Sequence, residues 1–111
     1  MQEQDRILQM FFARVAPYRK GRFVVVFDCD RDVINRGSIA SDPWRDHAMT
    51  VMREHGGQVV DLCPSFRQFV GRTGRHLEVS PTDGHWNHEA VRLVAQNIVR
   101  ALHDPWHGAS P

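Results

Sequence analysis

The run Phe23-Val24-Val25-Val26-Phe27 constrains this chain more than any other feature. It is unbroken, β-branched and aromatic, and it lacks the apolar–polar alternation of a strand with one wet face. Such a run predicts a strand buried on both faces, the pattern of a parallel sheet covered by helices. Gln58-Val59-Val60-Asp61-Leu62 predicts a second, shorter strand. Parallel strands need a crossover, and the segment between the two supplies one. Asp42 is suited to cap a helix, Pro43 to its first position, and Trp44, Ala48, Val51 and Met52 to an apolar face, with Gly56-Gly57 as the stop.

The flanks fit the same architecture. Ile7, Leu8, Phe11, Phe12 and Val15 recur at helical spacing, and Pro17 ends that run. Residues 28–41 are polar and read as a long loop. Residues 65–70 allow a turn or two of helix, and residues 71–82 read as loop with a short extended piece near Leu77 to Val79. A last helix is expected from about Asn87 to Leu102, capped by Asn87 and striped by Val91, Val94, Ala95, Ile98 and Leu102. The expected fold is one α/β domain over residues 1–111 with a frayed tail at 104–111. Two strands make a thin sheet, so the chain is expected to be the C-terminal part of a larger α/β domain or to self-associate through a sheet edge.

Composition narrows the function classes. With 14 basic residues against 13 acidic, the net charge of +1 gives no whole-chain case for binding nucleic acid or an anionic membrane. The apolar runs are too short for a membrane span, and the polar, acidic start has no signal-peptide character, which leaves the compartment open. Cys29 and Cys63 form no Cys-x-x-Cys motif. Each follows a predicted strand, so neighbouring strands would bring the sulfurs close, but the expectation is two reduced, half-buried thiols.

Three constellations carry chemistry. The first is Thr82-Asp83-Gly84-His85-Trp86-Asn87-His88, a loop leading into the last helix. In α/β domains ligands sit outside the carboxyl ends of the strands. A carboxylate there can accept the Nδ1 proton of an imidazole, leaving Nε2 to take a proton from a hydroxyl nucleophile. Asp83 and His85 are the candidates. The second is Phe27-Asp28-Cys29-Asp30, a strand ending in Asp-x-Asp. It resembles the first motif of haloacid-dehalogenase-type phosphatases, which would make Asp28 a nucleophile and Asp30 an acid with Mg²⁺ between them. That family needs a downstream lysine, whereas Lys20, the sole lysine, lies upstream, and Asp32 stands where Thr or Val is usual. The third is a metal site from Asp83, His85, His88 and His76; a cap at Asn87 would separate its two nearest histidines.

The first constellation has a context. Asp83-Gly84-His85-Trp86-Asn87, then Val91-Arg92-Leu93-Val94-Ala95 and Ala101-Leu102, resembles the C-terminal block of the SGNH (GDSL-type) hydrolases. Gly57 to Leu62 is similar to that family's last strand with the "vDl" following it, and Phe23 to Phe27 to the strand before. The resemblance runs from about residue 22 to 102. It implies the C-terminal part of a three-layer α/β/α sandwich and an ester hydrolase or acyltransferase site. Asp83 would orient His85, and His85 would be the general base. It implies no cofactor and a small-molecule or carbohydrate ester as substrate. The Gly-Asp-Ser nucleophile block and the Gly and Asn oxyanion donors of that family have no match here, so the chain is expected to be inactive alone. Ser38, Ser41, Ser65, Ser80 and Ser110 lack the nucleophile's context. The spacing Asp-x-His, in place of Asp-x-x-His, is similar to the branch that includes polysaccharide O-acetyltransferases, and Ala90-Val91 stands where Gly-His is common. The remaining expectation is a non-catalytic interaction module.

Overall fold

The computed structural model describes residues 2–38 and 42–105; Ser41, Ser110 and the tail beyond Pro105 lie outside the described residues. The chain is mixed α/β. In order it forms α1 (Gln2–Val15), a 3-10 turn (Ala16–Tyr18), β1 (Phe23–Phe27), α2 (Arg31–Asn35), α3 (Pro43–Glu54), β2 (Gly57–Asp61), α4 (Cys63–Thr73), β3 (Glu78–Ser80), β4 (Asp83–Trp86) and α5 (His88–His103). β1 and β2 pair in parallel, and β3 and β4 form a separate antiparallel pair. No described helix is long and apolar enough to cross a membrane.

The contacts divide the described chain into two compact units, one of residues 2–25, 42–59 and Pro105, the other of residues 26–38 and 60–104. In the first, Phe12 and the α3 residues Ala48, Met49 and Met52 are buried. The Phe12 ring stacks on His55 with centroids 4.0 Å apart, and Arg19 Nη1 donates to the His55 carbonyl at 2.7 Å. His47 Nε2 meets Asp5 Oδ1 at 2.6 Å, fastening α3 to α1. Asp42 caps α3 by accepting the Arg45 amide at 3.1 Å, as its sequence position demands. Gly56 turns the chain at φ 84, a left-handed conformation that costs a side chain dearly. The apolar stripe expected of α1 is only partly used: Ile7 and Phe11 are exposed while Phe12 is buried.

The second unit holds the denser core. Leu62, Phe66 and Leu77 are fully buried among Ile34, Phe69, Leu93 and Val94; each such side chain contributes about 1.5–3 kcal/mol by leaving water. α4 packs against both α2 and α5. The polar stretch after β1 hides α2: Asp30 accepts the Asp32 amide at 2.9 Å as an N-cap, and Ile34 is its buried anchor. α4 is three turns long where one or two were expected, because Pro64 sits in its first turn, where a missing amide costs nothing. On α5 the buried side is Ala90, Leu93, Val94 and Ala101, whereas Val91 and Leu102 of the expected stripe face outward. The strand β1 also differs from expectation: each of its residues is only half-buried.

The cysteines depart most from the sequence reading. Cys29, two residues past β1, and Cys63, at the start of α4, are joined in a disulfide with Cα atoms 5.0 Å apart, and both are buried. The register of the parallel strands brings them together: the Leu62 amide continues the ladder to the Phe27 carbonyl at 3.1 Å. The bond closes a sequence separation of 34 residues, worth about 4 kcal/mol by loop-closure entropy.

Candidate functional site

The Thr82–Asn87 stretch was expected to be loop, yet Asp83 to Trp86 forms β4. Pro81-Thr82 makes the turn, and β3 returns as β4 with Ser80 opposite Asp83 and Glu78 opposite Trp86, the register slipping between them. Gly and Asp are poor strand formers, so this strand exists by pairing and not by propensity. Its consequence is chemical. Residues two apart on a strand share a face, and Asp83 and His85 lie side by side.

Their contact is direct. His85 Nδ1 stands 2.5 Å from Asp83 Oδ1, and the same oxygen accepts the His85 amide at 3.1 Å. The His85 side-chain hydrogen bond, then its backbone amide, hold the Asp83 carboxyl below the ordinary aspartate value against a small desolvation effect. With Nδ1 turned to the carboxylate, a neutral imidazole carries its proton there and presents Nε2 as an acceptor. The His85 side chain is 90% exposed. It borders an open concavity of about 540 Å³, together with Asp83, Asp28, Arg31, Gly84 and Trp86.

Asn87 joins the hairpin to α5. Its side-chain oxygen caps the helix through the Ala90 amide at 3.0 Å, and its Nδ2 donates to the carbonyls of His76 at 2.8 Å and Glu78 at 3.2 Å. The capping role was legible in the sequence; the two bonds to the hairpin were not.

Asp28, the nucleophile candidate of the phosphatase-like motif, lies at the same site. Its Oδ1 accepts the Cys29 amide at 2.8 Å, the Trp86 indole N–H at 3.2 Å and Arg31 Nη1 at 3.0 Å, and Arg31 Nη1 also reaches Oδ2 at 3.0 Å. Asp30, by contrast, caps α2. Sequence reasoning gave no role to Arg31, although it stands only three positions from Asp28, nor to Trp86, whose contact with Asp28 spans more than fifty positions that no local spacing signals.

A second cavity of about 380 Å³ shares Arg31 and Gly84 with the first. There Glu78 Oε1 receives Asn35 Nδ2 at 2.9 Å and faces His76 Nδ1 at 3.1 Å. His76 is thus partnered by Glu78, not gathered with His85 and His88. Among the described residues no group of three or more His, Cys, Asp and Glu side chains is placed to hold a metal ion. The serines Ser38, Ser65 and Ser80 do not line the His85 concavity; among the described residues Thr82 brings a hydroxyl there. Comparison with known protein families, curated proteins and solved structures finds no match to this chain.

Proposed function

We propose that this chain carries the acid–base half of a serine-hydrolase site of SGNH type, acting on esters or transferring their acyl groups. The observation that carries the reading is the Asp83–His85 contact through Nδ1, with the imidazole open to solvent. In such a site His85 Nε2 takes the proton of a serine hydroxyl as the oxygen attacks the ester carbonyl. It returns the proton to the leaving alcohol, while Asp83 steadies the imidazolium formed between the two steps. The serine and the oxyanion donors come from sequence that this chain does not match, and the sheet would be completed into a three-layer sandwich by the strands that carry them. Substrates of this class are small-molecule or carbohydrate esters, and no cofactor enters the chemistry.

Two measurements test the reading. Proton–nitrogen correlation spectra of the full chain are expected to show His85 protonated on Nδ1 with a bare Nε2, a preference that Asp83→Asn removes; a neutral His85 carrying its proton on Nε2 overturns it. Hydrolysis of p-nitrophenyl acetate by the chain alone is expected to stay at background, and turnover that survives His85→Ala overturns the triad assignment.

A further inference from the structure

The β3–β4 hairpin is a weak platform for an aligned base. It is short, its register slips between Glu78 and Ser80, and Gly84 sits between the two residues that must stay in line. Glycine has the widest backbone freedom of any residue. A hydrogen-bonded imidazole here needs a brace from outside the hairpin.

Asp28 supplies one. It is fixed at the end of β1, next to Cys29 of the disulfide, and its carboxylate is oriented by the Cys29 amide and Arg31. A further donor to Oδ1 is the indole N–H of Trp86, the residue after His85. Neighbouring residues on a strand point to opposite faces. Holding the Trp86 ring therefore fixes the roll of β4 about its own axis, and with it the direction of the His85 ring. A charged acceptor makes this bond stronger than a neutral one. Arg31 approaches the same face of β4: its Nη2 lies 3.9 Å from where a Cβ on Gly84 would stand.

We propose that Asp28 is a positioning residue for the acid–base pair, acting through the Trp86 indole to hold His85 Nδ1 on Asp83. The inference rests on the functional reading above, and it gives Asp28 a task different from that of a phosphatase nucleophile. Asp28 does not touch the reacting atoms; it sets the alignment of the group that does.

The test reads the His85 ring in the full chain. Trp86→Phe keeps the aromatic ring and removes the donor; Asp28→Ala removes the acceptor. Both are expected to lower the ratio of Nδ1–H to Nε2–H imidazole at His85 by about two- to tenfold, the range set by the net worth of one hydrogen bond. Both are also expected to bring the Asp83 carboxyl titration back toward the ordinary aspartate value. Asp28→Asn, which keeps an oxygen acceptor for the indole, is expected to retain most of the Nδ1 preference. Thermal melts of each variant separate this from a purely structural role, which shifts the melt and leaves the tautomer ratio of the folded chain unchanged. If Trp86→Phe and Asp28→Ala both leave that ratio at the wild-type value, the proposal is overturned while the acid–base reading stands. A wild-type chain lacking the Nδ1 preference overturns both.

Discussion

Two histidines of this chain, His85 and His47, each rest on an aspartate, and the two contacts are made through different ring nitrogens. His85 meets Asp83 through Nδ1 at 2.5 Å, and His47 meets Asp5 through Nε2 at 2.6 Å. The groups and distances match, but the nitrogens are opposite. An imidazole held by Nδ1 offers the nitrogen farther from its own backbone to a substrate, whereas one held by Nε2 has spent it. Burial differs as well: the His85 side chain is 90% exposed and that of His47 33%. His47–Asp5 joins two helices, α3 and α1; Asp83–His85 joins nothing that β4 does not already join. The first contact ties two helices together, and the second leaves the Nε2 side of His85 open to solvent. The lesson is that a carboxylate–histidine contact is uninformative until the bonded nitrogen is known.

The comparison can be broken at several strengths. The largest effect is expected from the disulfide, which lies in the unit that holds His85. Replacing Cys29 and Cys63 with serine is expected to lower unfolding stability by about 4 kcal/mol, read as a lower urea midpoint. The His85 tautomer preference is expected to weaken with it, through the slackened end of β1, while the His47 contact persists in the fraction still folded. Equal loss at both histidines would mean that the two regions do not differ in how they are braced. Next is Asn87→Ala, which removes a helix cap together with two bonds to the hairpin. A cost of about 1–2 kcal/mol is expected, with faster amide exchange at His85 and Trp86; unchanged exchange there would show that Asn87 serves only α5.

The smallest effects separate the two pairs themselves. Asp5→Asn removes the carboxylate from one partly exposed hydrogen-bonded pair and is expected to cost less than about 1 kcal/mol, with no change at His85. Asp83→Asn is expected to cost little stability but to abolish the His85 Nδ1 preference. The pH dependence follows from the sign of the Asp83 shift. Its folded-state carboxyl is held below the ordinary value by His85. The stabilisation is therefore fully present above the unfolded-state aspartate pKa and is lost as pH falls through the lower folded-state value. The Asp83 carboxyl signal is expected to titrate below the ordinary aspartate range in the wild type and within it in His85→Ala; identical midpoints in the two would remove the electrostatic basis of the pair.

Much of the architecture was legible. Asp42 and Asn87 announced two helix starts because an N-cap is a local bond, made within three residues of the capping side chain. β1 and β2 were legible as strands through their dense β-branched composition. α2 was hidden because its single buried residue, Ile34, leaves no periodic stripe to detect. β4 was hidden because Asp83 and Gly84 are poor strand formers, and its pairing with β3 is a property of two segments rather than one. The disulfide was likewise undecided by the sequence, since the approach of Cys29 and Cys63 depends on strand order and register.

From the sequence alone, then, came a mixed α/β chain and the proximity of Asp83 and His85, two positions apart and never far from touching. Tertiary structure decided which nitrogen faces the carboxylate, that the pair stands on a strand open to solvent, and that Asp28, Arg31 and Trp86 gather beside it. The division has one physical cause. Caps, turns and strand composition are settled by interactions over a few residues, but ring orientation and long-range hydrogen bonds are settled only when segments far apart in sequence pack against each other.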